Sequence, residues 1–313
     1  MFNPSPQKFA QSAAECLYDL SAINILLESA ILSVEQEVQT LLKLNDLKTL
    51  QRRYEYFRIL GTSIHDYEER FYEINTGQTV LAGIRHKIGL VDQPFVHTLL
   101  DFTPNKNDIK LLKEFSLQQF HKFKPKYLSL WLKPSLQLPL SEFEVTPSRQ
   151  YVVGLISSIR KPEISDSSKR VRLEKLTDNF NYNWYSEVYE EFHRQRPDLK
   201  DWVPITDKED IQRCLADQLL YHVYVDGGLA GLIGGYSENY LGKPAIYMAE
   251  FLLTSKFKGQ GLAAVVQRKF INELPNDFEL IWGTIDTKNQ PSLKTALKVG
   301  RLPIRSEYFI RIT

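Results

Sequence analysis

The stretch "KFKGQGLAA", residues 256 to 264, sets Gly259 and Gly261 at the head of a segment that reads as a helix, just after the strand-like run "AIYMAEFLLT". Glycine costs a helix about 1 kcal/mol relative to alanine, so two of them at a strand-to-helix junction point to a need for bare backbone. Such a turn aims several N–H groups at one place, and the helix dipole adds positive potential there. That is the chemistry of an anion site, above all for phosphate. A Cβ at either glycine would block a ligand's approach to the main chain. Two common phosphate patterns do not fit: GxxxxGK[ST] is absent, and GxGxxG fails for want of a third glycine. A tight helix start with a glycine bend is the competing reading of the same residues.

Glu250 is the one acid within "AIYMAEFLLT". A lone carboxylate on an apolar strand is costly to bury and its pKa should rise, which makes Glu250 a candidate base. Simple alternation puts Tyr247 on the same strand face as Leu253, and it is the second candidate. Tyr308, in the closing run "SEYFIRI", is a third, as an acid; His222 reads as a hairpin residue. Cys16 and Cys214 stand far apart with no CxxC or Cys/His cluster, so neither a disulfide scaffold nor a metal site is expected.

The elements that must hold these residues can be traced along the 313-residue chain, which is long enough for two domains. Residues 8 to 60 space their apolar side chains three and four apart and read as helical. "TVLAGIRHKIGL" and "PFVHTLLDFT" follow as strands, "NKNDIKLLKEFSLQQFHKF" as a helix with Asn105 or Asn107 as N-cap, and "KYLSLWL" and "YVVGLISSI" as two more strands. The polar run 160 to 170 reads as an interdomain linker. The second half repeats the order: a strand at "RVRLEKLT", helices at "NYNWYSEVYEEFHRQRP" and "DKEDIQRCLADQ", then a hairpin turning at "DGG". After "AIYMAEFLLT" come the helix "GLAAVVQRKFINEL", the strand "ELIWGTID", the helix "QPSLKTALKVG" and a last strand. The expected class is α+β with mixed sheets, as two tandem domains. Residues 1–160 would hold the helical segment and the first domain, 161–169 the linker, and 170–313 the second domain.

The second half resembles the GCN5-related N-acetyltransferases. Their pyrophosphate motif, [Q/R]-x-x-G-x-[G/A], is matched by Lys258, Gly259, Gln260, Gly261, Leu262 and Ala263, with lysine keeping the charge of the preferred arginine. A second family motif is matched by "NQPSLKTALKVG", with Asn289, Ser292 and Gly300 at the right spacing. The resemblance covers residues 170 to 313. It implies acetyl-CoA as cosubstrate, lying between the strand before the glycines and the strand after their helix. Main-chain groups of Leu252 and Leu253 would bond the pantetheine arm, the N–H groups of Lys258 through Ala263 would hold the pyrophosphate, and Asn289 with Ser292 would lie near the thioester. Asn289 is equally a good N-cap for the helix with Pro291 in its first turn. The tyrosine that protonates the leaving thiolate in much of the family falls at Ala296. A strand carboxylate serves some members as base, the role implied for Glu250.

The first half follows the same order without the chemistry: "TPNKNDIK" stands where the glycine turn should fall. It is expected to be a degenerate, non-catalytic domain of the same kind, packing on the second or recognising a protein partner or a second copy; an unrelated α+β domain is the alternative. The resemblance implies an N-acetyltransferase acting on a primary amine of a small molecule or peptide. The alternative is a catalytically impaired CoA-binding or protein-interaction module. Net charge is +1, hydrophobic residues make up 43% and charged residues 25%, which speaks against nucleic acid or an acidic membrane as partner. The opening residues lack the pattern of a secretory signal and no apolar run approaches a bilayer span, so a cytoplasmic protein is expected.

Overall fold

The structure is a computed structural model that describes residues 4–21, 23–87, 90–136, 142–160, 166–177 and 180–312. The fold is α+β and divides into two compact units: Met1–Gln150 together with Ile304–Thr313, and Tyr151–Pro303. The units therefore do not divide at the expected linker. Residues 161–165 of that segment lie outside the described residues, and Asp166–Arg170 form a short helix.

The first unit opens with three helices, α1 (Pro6–Leu17), α2 (Leu27–Lys43) and α3 (Leu47–Phe57). The strands β1 (Arg70–Asn75), β2 (Gln78–His86) and β3 (Pro94–Leu100) follow, then α4 (Lys106–Gln119), β4 (Tyr127–Leu132) and β5 (Val145–Leu155). β1, β2 and β3 pair antiparallel in sequence. β3 and β4 are parallel, from Phe95 opposite Tyr127 to Thr98 opposite Leu130, as a crossover through α4 requires. Asn105 is the N-cap, accepting from the backbone N–H groups of Asn107 and Asp108, while Asp108 accepts from the N–H of Asn105. One face of the sheet packs Val80, Ile84, Val96, Leu128 and Leu130 against Ile109 and Leu112 of α4.

The second unit begins within β5 and continues through α5 (Ile156–Ile159), α6 (Asp166–Arg170) and β6 (Val171–Lys175). Next come α7 (Tyr182–Gln195), α8 (Lys208–Ala216), β7 (Leu220–Val225), β8 (Gly228–Tyr240), β9 (Lys243–Leu253), α9 (Leu262–Glu273), β10 (Leu280–Asp286) and α10 (Gln290–Val299). The strands run in the order β5-β10-β9-β8-β7-β6. β6 to β9 are antiparallel neighbours and β9 and β10 are parallel, with α9 as the crossover. Ile246, Met248 and Leu253 pack with Val265, Val266 and Phe270 of α9 on one face. Tyr185 and Tyr189 of α7 and Ile211 of α8 pack on the other.

The chain's last strand, β11 (Leu302–Arg311), belongs with the first unit from Ile304 onward. It lies antiparallel to β4, from Ser306 opposite Leu132 to Arg311 opposite Tyr127. Buried Glu307 accepts from Ser129 Oγ at 3.0 Å and from Arg149 Nε at 3.1 Å. The Arg305 guanidinium bonds both carboxylate oxygens of Glu37 on α2, at 2.7 and 3.0 Å. The strand expected to close the second half thus completes the first, because its inward groups find partners on β4 and α2. The second unit takes the latter part of β5 beside β10 instead.

Candidate functional site

The glycine turn joins β9 to α9. Gly259 and Gly261 hold φ of +77° and +75°, the left-handed region where other residues are strained. Among the described residues, the chain neighbours aside, no atom lies within 4 Å of a Cβ built at either position. Backbone conformation is therefore what requires glycine within the chain, and the approach to the turn is open. Gly261 is the N-cap of α9 and contributes no side-chain cap, so the first N–H groups of the helix are left to other acceptors. Lys258 and Arg170 are cations attached to or bonded with the turn, and Arg170 is itself paired with Asp226 at 2.8 Å. The Lys258 ammonium lies 4.3 Å from the centre of the Phe192 ring and is held below the usual lysine pKa, chiefly by desolvation and then by Arg196. Arg170 bonds Gln260 Oε1 at 3.1 Å. In the first unit the equivalent junction holds no glycine, and Asn105 caps the helix with its own side chain.

β9 and β10 are paired at Ala245–Leu280, Ile246–Ile281 and Tyr247–Trp282, and no further, although β9 runs on to Leu253 and β10 to Asp286. The two parallel strands separate from Met248 and Gly283 onward, and the glycine turn lies at the open end. Thr254 N–H donates to Ala230 O on β8, so alternation directs the main-chain groups of Leu253 toward the separation. The carbonyl of Leu252 points the other way: a Cβ at Gly231 of β8 would fall 2.0 Å from its oxygen. Of the two expected pantetheine contacts, Leu253 faces the opening and Leu252 faces β8.

A bulge sits at the point of separation. Gly234 pairs with Glu250 and Tyr236 with Tyr247, so β9 spends one more residue there than β8. This breaks the alternation. Tyr247, Ala249 and Leu252 pack with the α7 face, whereas Met248, Phe251 and Leu253 pack with the α9 face. The expectation that Tyr247 shares a face with Leu253 is thereby corrected.

Glu250 also turns to the α7 face and is only 3% exposed. Tyr185 OH donates to its Oε2, Tyr189 OH lies 3.2 and 3.1 Å from its two oxygens, and Thr206 Oγ1 donates at 2.9 Å. Burial pushes its carboxyl pKa up, and the three hydroxyl bonds pull it back in part. Thr206 is the half-buried member of this group, while both tyrosines are buried. Sequence reasoning did not find these hydroxyls. The signal for the tyrosines was present in "YSEVY", since a spacing of four puts both on one helix face.

The remaining expected residues fall as follows. Tyr247 stands at the base of the separation, its hydroxyl 3.3 Å from Thr284 Oγ1. Asn289 is the N-cap of α10 and accepts from the Ser292 N–H at 3.4 Å, and both residues are half-buried. Ala296 is buried beside Val152, Ile285 and Leu293. Tyr308 belongs to the first unit, where it lies opposite Leu130 in the sheet and packs on that unit's core. His222 is held below the usual histidine pKa by burial and meets Trp184 edge-on.

Arg301 is a further group that the sequence did not single out. It is 2% exposed, and its Nη1 lies 3.1 Å from Met248 Sδ and 3.4 Å from Gln267 Oε1. A Cβ at Gly283 would fall 3.0 Å from its Nη2, so the guanidinium fills the space between the separating strands on the α9 side. No carboxylate pairs with it among the described residues, and burial lowers its pKa to about 10. Among the described residues no cluster of His, Cys, Asp and Glu could hold a metal, and no helix is long and apolar enough to cross a membrane.

No family model and no curated protein matches the sequence. Among solved structures the chain is similar to a GCN5-related N-acetyltransferase from Sphaerobacter thermophilus, at 11% identity over 75% of this chain and 76% of that one, with a TM-score of 0.48. A GCN5-related N-acetyltransferase from Kribbella flavida is similar at 11% identity over 84% of this chain and 95% of its own, with a TM-score of 0.40. A tandem GNAT protein of the clavulanic acid biosynthesis pathway is similar at 12% identity over 75% and 79%, with a TM-score of 0.39.

Proposed function

We propose that the second unit is an acetyl-CoA-dependent N-acetyltransferase acting on a primary amine. One observation carries the reading: an uncapped helix N-terminus behind a positive-φ glycine turn lies at the open end of two parallel strands that part at a bulge. The parts fit the cosubstrate. N–H groups from Gly261 to Ala263, with Lys258 beside them, would take the pyrophosphate, and Leu253 would bond the pantetheine arm in the opening. The acetyl group would then lie where the strands part, near Tyr247.

The amine nitrogen forms a bond to the acetyl carbon as the carbon–sulfur bond breaks, and CoA leaves as thiolate. Near neutral pH the incoming ammonium must first lose a proton. Glu250 is saturated by hydroxyls and shielded, so Thr206, half-buried and bonded to it, passes the proton inward. The thiolate takes its proton from water, since position 296 carries only a buried alanine, and the charge of Arg301 stabilises it meanwhile. The first unit, whose equivalent helix is capped by Asn105, is read as a non-catalytic relative that serves a partner-binding role.

The buried Ala296 also favours a second reading, a CoA-binding module without turnover. Both readings are tested together by thermal melting with acetyl-CoA and by thiol release across a panel of amines. Stabilisation with turnover supports the enzyme, and stabilisation with no turnover on any amine supports the module. Absence of any melting shift removes both.

A further inference from the structure

On the α7 face of the second unit, beside the point where β9 and β10 part, lies a floor of aromatic rings. Tyr236 of β8 pairs across to Tyr247 of β9, which pairs to Trp282 of β10, and all three therefore project to one face. Ring centres lie 5.1 Å apart for Tyr236 and Tyr247 and 4.9 Å apart for Tyr247 and Trp282. Tyr240 reaches across Ala245 to stack on Trp282 at 4.0 Å, and Tyr151 approaches the same indole at 5.4 Å. Tyr247 and Trp282 are half-buried, not sealed in a core. Such a surface attracts cations, and it already holds one of the chain's own: the Arg213 guanidinium lies 3.5 Å from the centre of the Tyr236 ring.

Glu238 rises from the same face, two residues along β8 from Tyr236 and opposite Ala245. It makes no ion pair or hydrogen bond among the described residues, and its Oε1 is buried without a partner. Burial pushes the carboxyl pKa up, and the Trp282 indole N–H, a neutral donor that is buried as well, holds it down in part. Asp210 and Arg213 are the charged groups that act on it from α8, with opposite signs, and Arg213 lies 3.7 Å from Asp210. A half-desolvated carboxylate without a cation of its own is costly, and it calls for one from outside the chain.

We propose that this floor and Glu238 form the acceptor subsite, and that the acceptor is an aliphatic diamine. The proposal rests on the acetyltransferase reading for the position of the reacting amine, which is where strand pairing ends beyond Tyr247. Glu238 stands two to three residues back along the strands, about 7–10 Å at about 3.3 Å per residue. An extended chain of about four to six methylenes spans that gap. One ammonium binds Glu238, the methylenes lie along Trp282 and Tyr247, and the far amine meets the acetyl group.

The test is calorimetric titration of the full chain with cadaverine and with pentylamine, which differ by one amino group. Cadaverine should bind at least about tenfold more tightly, and Glu238→Gln should abolish the difference while leaving the weaker pentylamine affinity in place. Equal affinities, no binding of either amine, or a difference that survives in Glu238→Gln would each overturn the proposal. Circular dichroism of Glu238→Gln confirms the fold. The acetyl-CoA melting shift, measured on the same samples, separates the two ideas. Without that shift the acetyltransferase reading fails, whereas failure of cadaverine selectivity alone refutes only the diamine.

Discussion

Tyr247 and Glu250 lie three positions apart on β9, yet both side chains project to the α7 face, because the bulge at Met248 and Ala249 absorbs one step of the alternation. The same irregularity marks where β9 leaves β10. One device thus opens the sheet and sets a carboxylate, a tyrosine and the aromatic floor on one side of the opening.

Glu250→Gln should lower kcat/KM for the amine by at least about tenfold near pH 7, within the usual worth of general-base help. Part of the loss should return at higher pH as free amine accumulates, and the acetyl-CoA melting shift should persist. Stability gives an independent check. Burial raises the carboxyl above its ordinary 4.5, so the folded state retains a proton that the unfolded chain has released. Stability therefore declines as pH climbs from about 4.5 through the raised value, and the glutamine variant should lose that slope. Unchanged turnover across the pH range would exclude Glu250 and turn attention to Tyr247.

Tyr185→Phe removes the hydroxyl that most strongly lowers the Glu250 pKa. The carboxyl then stays protonated to higher pH, and the acid limb of the kcat/KM profile should move upward. A limb that stays in place, in a variant with a normal melting curve, would mean that Glu250 is not the group titrating in that limb.

Gly261→Ala introduces no clash, since among the described residues nothing beyond its chain neighbours lies within 4 Å of the added carbon, but it forces alanine into φ of +75°. The cost should be about 1–2 kcal/mol in chemical denaturation. Gly261→Val should in addition abolish the acetyl-CoA melting shift, because its side chain enters the approach to the helix N–H groups. A full shift in that variant would sink the pyrophosphate assignment.

Glu37→Ala should destabilise the first unit by about 3 kcal/mol, the usual penalty for removing one partner of a buried ion pair. Arg305, 1% exposed, would lose its two carboxylate bonds. Denaturant unfolding followed by a probe in that unit measures it, and a loss below about 1 kcal/mol would show that the Tyr18 hydroxyl, 3.2 Å from Arg305 Nη1, and the Trp131 ring, whose centre lies 4.6 Å from the guanidinium, hold it unaided.

Local chemistry was legible in the sequence. Apolar spacing marked the helices and strands, Asn289 caps the helix it was expected to cap, Asn105 is the one of two offered residues that caps α4, and the glycine turn stands where its composition put it. What escaped notice depends on partners far along the chain. The bulge leaves no mark in "AIYMAEFLLT", because an extra residue shows only against the strand it pairs with. Arg301 reads in sequence as an ordinary cation after a helix end, and only the separation of β9 and β10 makes it buried. The hydroxyls around Glu250 come from α7 and from the segment before α8. The last strand reads correctly as a strand, but its hydrophobic pattern does not say which sheet edge will receive it.

That final strand has a consequence for synthesis. The chain is made from its first residue onward, and β4 must wait for residues 304–311 before its sheet edge is covered. The half made first is therefore the half finished last, holding an unpaired edge while some 170 further residues emerge, a hazard that exposed edges carry in general. A premature stop shortly before residue 304 would spare every residue of the glycine turn and yet strip the earlier half of its closing strand. Damage at one end of the message would be felt in structure encoded at the other.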